Sequence, residues 1–159
     1  MRLLTFLASL LRRRRPATRE VKSPEQEADL ALDWVLDMIR TTPEIERIKM
    51  SPGSEVVRLF ALRDGSDQQI GDIPLEPYLR VLTHLRARAS IPEHADSGTI
   101  HFRPSDAFKA YAASQLARLR QAMGDAAPPA RAARSEPDEV RLKVRLVTTP
   151  LGTEATLSR

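Results

Sequence analysis

Over 23–43, apolar residues recur at the spacing of a helix that buries one face. Ser23 can cap this helix, Pro24 suits its first position and Gln26 can complete a capping box, while Pro43 ends the segment. We therefore predict an amphipathic helix here. Its predicted buried side chains are Ala31, Trp34, Val35 and Met38.

Two further segments show the same helical spacing. One covers 73–91, and the other covers 104–124, between a cap at Ser105 and a stop at Gly124. The predicted inward side chains are Leu75, Leu79, Leu82 and Leu85 in the earlier helix, and Phe108, Tyr111 and Leu119 in the later one.

Strands are predicted between and after these helices. Strict alternation marks 140–147, with Val140, Leu142, Val144 and Leu146 on one face and Arg141, Lys143 and Arg145 on the other. Two short strands fall within 45–65, joined by the turn Ser51-Pro52-Gly53 and followed by the turn Asp64-Gly65. A brief strand at 97–103 and a last strand after the turn at 150–152 complete the order α, β, β, α, β, α, β, β. This order predicts an α+β fold, a small sheet packed against helices.

The first 22 residues form a basic amphipathic tail. Its leucines have the spacing of one helix face and precede four arginines and a proline, and the apolar run is shorter than the roughly 20 residues that a bilayer requires. We expect an interfacial helix on an anionic membrane, with a disordered tail or a helix docked on a partner protein as alternatives. The expected membrane contacts are Leu3, Leu4, Leu7, Leu10, Leu11, Arg12, Arg13, Arg14 and Arg15.

Composition and charge narrow the functional classes. The chain has no cysteine, which excludes disulfides and thiolate chemistry and suits a reducing cytosol. Residues 1–22 hold seven basic side chains against Glu20 alone, a net +6, so the remaining residues carry −2 of the total +4. A nucleic-acid-binding fold usually carries its positive charge on the folded surface. The balance therefore argues against nucleic acid as the partner.

No catalytic motif is present in the sequence. Neither common glycine-rich phosphate-binding motif occurs, and the three histidines, His84, His94 and His101, have no helical partner at i+4. Glu44 and Glu46 alternate on a predicted strand, where they would be solvated. We therefore predict neither an enzyme nor a bound metal or cofactor.

Five segments, in order, resemble the accessory domain that precedes the motor domain in bacterial ATPases of type II secretion and type IV pilus assembly. They are "EIERIKMSP", "VVRLFALRDG", "PLEPYLRVLTHLRARASI", "ADSGTIHFR" and "VRLKVRLVTTPLGTEATLSR". The match covers 27–103 and 140–158 and includes no motor domain. It implies a PAS-like accessory domain over 23–159, with an inserted helix and flexible linker at 104–139.

The resemblance also implies a role for arginines. In such motors, arginines of two strands reach the phosphates of the nucleotide, where a guanidinium can neutralise charge. Arg58 matches one of these positions and is the candidate nucleotide contact. Phe60, Leu62, Thr99 and His101 stand where further arginines are expected. We therefore expect Arg58 to be a strand-surface residue or a partner contact rather than a catalytic one.

Two functional hypotheses remain. The first is a non-catalytic interaction module, cytoplasmic or peripheral on the inner face of the membrane, that docks on a motor ATPase or its membrane platform. The second is a PAS-like module that senses a small molecule or nucleotide, with Phe60, Phe102 and Tyr111 lining its pocket. Nucleic-acid binding would rest on the arginine cluster of the tail and on the basic face of Arg141, Lys143 and Arg145. A solvated outer face explains those three equally well, and the aromatics of a stacking platform are absent.

Overall fold

The computed structural model describes residues 22–124 and 136–159, and they form the α+β fold predicted from the sequence. The three helices are α1 (Pro24–Thr41), α2 (Leu75–Arg88) and α3 (Asp106–Met123). The six strands are β1 (Arg47–Pro52), β2 (Val56–Arg63), β3 (Ser66–Pro74), β4 (Ser97–Phe102), β5 (Val140–Thr149) and β6 (Gly152–Ser158). The predicted membrane contacts of the tail and most of the predicted linker lie outside the described residues. None of the described helices is long and apolar enough to cross a bilayer.

The strands form one antiparallel sheet in the order β3-β2-β1-β6-β5-β4. The first strand and the last strand are therefore the two central ones. Their pairing places Arg47 opposite Ser158 and Lys49 opposite Thr156. This register brings together side chains that are far apart in the sequence.

In the part of the chain that the structure describes, the helices cover one face of the sheet and leave the other open. Along β5, Val140, Leu142, Val144 and Leu146 are buried, while the basic residues between them are exposed, as the alternation predicts. The buried strand residues join those of α1 and α2 in one apolar cluster. Because side chains alternate between the faces of a strand, every second residue of the sheet points to solvent.

Helices α1 and α2 match their predicted positions, but not every side chain predicted to be buried is buried. Ser23 and Gln26 form the predicted capping box of α1. Trp34 and Met38 are half-buried rather than buried. The prediction for Leu79 is wrong: it is 56% exposed, because α2 instead turns Tyr78 and Val81 towards the sheet with Leu82 and Leu85. The Tyr78 hydroxyl donates a hydrogen bond to the carbonyl oxygen of Thr153, at 2.7 Å.

The Asp64-Gly65 turn joins β2 to a strand that the sequence pattern did not reveal. Both turn residues have positive φ, 49° and 75°, which a two-residue hairpin of this kind requires and which glycine and aspartate tolerate. Strand β3 follows at the edge of the sheet, and most of its residues are exposed or half-buried. An edge strand of this kind lacks the apolar alternation by which half-buried strands are recognised.

Helix α3 is attached to the rest of the domain through an aromatic cluster near its start. Ser105 caps the helix as predicted, and its hydroxyl accepts a hydrogen bond from the backbone N–H of Phe108. The buried Phe108 ring makes edge-on contacts with Trp34 and Phe102, with ring centroids 5.7 and 6.3 Å apart. Tyr111 is half-buried, and the predicted inward side chain of Leu119 lies outside what the structure describes.

Candidate functional site

The open face of the sheet carries most of the cations of the described strands. The outward basic side chains are Arg47, Lys49, Arg58, Arg141, Lys143 and Arg145, and the outward acidic ones are Asp67, Asp72 and Glu154. Arg47 and Lys49 are half-buried, whereas the three basic residues of β5 are exposed. The folded surface thus carries a basic region that the net charge of the sequence conceals.

Short polar side chains of β6 lie between two rows of long cationic ones. Ser158 pairs with Lys143 on one side and Arg47 on the other, and Thr156 pairs with Arg145 and Lys49. Neighbouring strands lie about 4.8 Å apart, so the two cationic rows are about 10 Å apart. We call this arrangement the β6 groove: its floor is Thr156 and Ser158, and its sides are Lys143, Arg145, Arg47 and Lys49.

The two sides of the β6 groove differ in how their charges are compensated. On the β1 side, Arg47 Nη2 lies 3.1 Å from Asp67 Oδ1, and Lys49 Nζ lies 4.0 Å from Asp67 Oδ2. Lys49 also lies 5.4 Å from the centroid of the Phe60 ring. On the β5 side, Lys143 and Arg145 form no ion pair with any carboxylate of the described chain. The β5 side therefore offers uncompensated positive charge.

Charge changes sign at one end of the β6 groove. The next outward residue of β6 is Glu154, whose carboxylate accepts a hydrogen bond of 2.9 Å from the Ser51 hydroxyl. Opposite Glu154 lies Val147, 39% exposed, and Leu151 in the adjoining turn is 58% exposed. The cationic part of the groove therefore covers two residue pairs and ends at an acidic and apolar boundary.

Arg58 lies on the same open face but outside the β6 groove. It is exposed on β2, directly opposite Ser51 on one side and Asp72 on the other. A nearby acidic side chain offsets the positive charge that a phosphate contact would use. Thr99 and His101 also lie on this face, opposite Lys143 and Arg141.

The structure does not bring together the three aromatic residues expected to line a sensory pocket. Phe60 lies on the open face beside Lys49. Phe102 is buried on the opposite face against Phe108. Tyr111 is on α3, with the ammonium of Lys22 over its ring at 3.7 Å. The predicted lining is wrong as a single pocket, because the sheet separates Phe60 from Phe102.

A second cluster of ionisable groups joins α1 to α2 on the helical side. Arg88 contacts Asp33 at 2.5 Å and Asp29 at 2.6 Å, and His84 bridges Glu25 and Asp29 at 3.0 and 3.4 Å. His84 is therefore paired between two carboxylates, which the sequence did not indicate. No group of three or more metal-ligating side chains is found in residues 22–124 and 136–159. These contacts join the two helices.

Protonation of the Asp33 carboxyl at low pH should stabilise the folded protein. Burial raises the pKa of its carboxyl above the ordinary 3.8, because the hydrogen bond and charge of Arg88 lower it by less. A carboxyl with a raised pKa in the folded state stabilises that state when protonated and loses this contribution as the pH rises through that pKa. We therefore expect the stability of the wild type relative to Asp33→Asn to increase as the pH falls from neutral towards 3.8.

Urea denaturation of both proteins between pH 7 and pH 3 measures this difference. Asp33→Asn keeps the size of the side chain and an oxygen that can accept from Arg88, so the comparison isolates the ionisation. A relative stability that instead fell on acidification would show that the Arg88 ion pair outweighs the cost of burial.

Comparisons with known proteins assign no family to the chain. No protein-family model matches the sequence, and no curated protein matches it. The residues of the open face are therefore the main basis on which a function can be proposed.

Proposed function

We propose that this chain is a non-catalytic interaction module, related to the accessory domain of secretion and pilus ATPases, that docks on such a motor or on its membrane platform. The observation that carries the proposal is the open face of the sheet, where Lys143 and Arg145 are exposed without a carboxylate partner in the described chain. Solvated charges of this kind add electrostatic attraction and orientation when a partner of opposite charge approaches.

The fold is suited to docking in a second respect. One face of the sheet is committed to the core, so the other can be covered by a partner without disturbing the packing. The side chains of that face are held in fixed register by five antiparallel pairings. A rigid, preorganised surface loses less conformational entropy on association than a loop does.

The proposed docking is tested with the motor ATPase of the source cell. The full chain, immobilised, should retain the purified motor ATPase, and the chain alone should not bind a labelled ATP analogue. Retention that fails in low salt, where charge attraction is strongest, would contradict the proposal. Binding of the analogue by the chain alone would favour the nucleotide-sensing alternative.

Arg58 is expected to contribute little to nucleotide hydrolysis. We predict that Arg58→Ala leaves the ATP turnover of the motor–chain complex within about twofold of the wild-type complex, because Asp72 lies opposite this side chain. An arginine supplied in trans to a phosphoryl-transfer site typically contributes 10³-fold or more. A loss of that size, absent from an Arg141→Ala control on the same face, would assign Arg58 to the nucleotide.

The tail supplies a second proposed attachment. Its leucines and arginines would bind an anionic membrane weakly, and stable anchoring generally requires two signals, here the tail and the docked partner. Deleting residues 1–15 should therefore release the protein from vesicles that contain anionic lipid while leaving retention of the motor unchanged. Vesicle binding that survives the deletion would place the membrane contact elsewhere.

A further inference from the structure

We infer that the β6 groove binds an extended acidic segment of a partner protein, with carboxylates at alternate positions. The inference rests on the proposed docking function and names the chemistry of the partner. The supporting observation is that the four cationic side chains of the groove surround the hydroxyls of Thr156 and Ser158, and that Glu154 lies at one end of the groove.

The spacing of the groove fits an extended peptide. Residues i and i+2 of a strand are about 6.8 Å apart, both in β6 and in an extended ligand. One carboxylate of the ligand can therefore lie over Ser158, between Lys143 and Arg47. The carboxylate two residues away in the ligand then lies over Thr156, between Arg145 and Lys49. The hydroxyl groups can donate hydrogen bonds from below, and hydrogen bonds to ionised acceptors are stronger than neutral ones.

The chain itself does not supply such a segment outside the described residues. Residues 1–21 hold six arginines and Glu20, and residues 125–135 hold two arginines and Asp125. Both stretches therefore have the same sign of charge as the groove. A second copy that faced this surface with the same surface would also be repelled, because like charges across an interface are unfavourable. We therefore assign the acidic occupant to a partner protein.

The boundary of the groove favours a peptide over a nucleic acid. A polynucleotide carries a phosphate on every residue and would continue past Thr156 to Glu154, where its charge is repelled. Single-stranded nucleic acid also stacks on aromatic rings. The ring side chains on the open face of the described strands are Phe60 on β2 and His101 on β4, and neither belongs to the strands that form the groove. A peptide can instead place an apolar residue beside Val147 and Leu151 after its two acids.

The test uses two labelled peptides of equal composition and charge. One, acetyl-SGEVEVSG-amide, has its glutamates at alternate positions, and its isomer acetyl-SGEEVVSG-amide has them adjacent. Fluorescence polarisation measures their affinity for the full chain and for two variants. Lys143→Gln/Arg145→Gln removes two charges from the groove, and Arg58→Gln/Arg141→Gln removes two charges from the same face outside it. All four substituted residues are exposed, so the variants should fold.

The alternating peptide should bind more tightly than its isomer. The groove variant should weaken that binding about fivefold to tenfold, as the loss of two solvent-exposed ion pairs implies, and the control variant by less than twofold. Equal affinity for the two peptides, no binding of either, or equal effects of the two variants would overturn the inference. Tighter binding of a single-stranded oligonucleotide or of anionic vesicles, lost in the groove variant, would overturn the choice of occupant. Self-association of the full chain in a sedimentation experiment, if the groove variant abolished it, would also overturn the choice of occupant.

The outcome is separable from that of the motor experiment. If the groove variant still retains the motor ATPase as the wild type does, the motor docks through another surface and the groove inference is overturned. If the wild type does not retain the motor but binds the alternating peptide with the expected variant dependence, the acidic partner is supported and the motor is the wrong protein.

Discussion

Leu142→Ala is expected to lower the free energy of unfolding by about 3 kcal/mol, since large-to-alanine changes in a core typically cost 2–5 kcal/mol. The Leu142 side chain is fully buried near the start of β5. Its neighbour Lys143 points to the open face, and Lys143→Ala should change the free energy by less than about 0.5 kcal/mol. Urea denaturation of both variants measures the contrast.

This pair of variants tests the open face as well as the core. Adjacent residues of one strand differ in the face to which they point, so backbone effects are nearly matched. Comparable destabilisation by both substitutions would mean that something covers the second face, and it would remove the basis for docking there. Arg141→Ala is a second control: Arg141 lies two residues before Lys143 on β5 and points to the same open face.

Arg40→Met should be nearly as damaging, at about 2–4 kcal/mol, because removing one partner of a buried ion pair leaves the other charge uncompensated. Arg40 is 8% exposed near the end of α1. Its guanidinium contacts Asp37 at 2.7 Å and donates to the carbonyl oxygen of Pro137, also at 2.7 Å. Burial already raises the pKa of Asp37, despite the hydrogen bond and charge of Arg40. Without Arg40, that carboxylate is less favourable still.

Arg80→Met is the matched control for Arg40→Met. Arg80 pairs with Glu76 and Glu25, but it is more exposed, and surface ion pairs contribute little. Chemical denaturation at neutral pH should place this variant within about 1 kcal/mol of the wild type. If Arg40→Met matched Arg80→Met, the contact between α1 and the segment before β5 would be dispensable.

The helices and the clearest strands could be predicted because their signals are local. Ser23 and Ser105 act as caps, Asp64-Gly65 forms a hairpin turn, and the alternation of β5 matches its burial. Strand β3 escaped prediction because it is an edge strand with little buried surface. The prediction for Leu79 is wrong because the spacing of leucines alone does not determine which side of a helix packs against the sheet. Tyr78 and Val81 lie on the buried side instead.

The β6 groove could not be predicted from the sequence because it depends on pairing between distant strands. Arg141, Lys143 and Arg145 were visible as one polar face, and a solvated surface explains them equally well when β5 is considered alone. No local sequence pattern indicates that Thr156 lies between Arg145 and Lys49, which are more than ninety residues apart in the chain. Register is a property of the assembled sheet and is set by which faces can be buried together.

The central position of β6 also has a consequence for the order in which the protein is made. Strands β1 to β3 leave the ribosome early as a meander, yet the inner edge of β1 has no neighbour until residues 152–158 emerge. An uncovered strand edge is a site of aggregation. The arrival of β6 covers that edge, joins the two halves of the sheet and completes the floor of the groove. A nascent chain therefore gains its protection and its recognition surface in the same step.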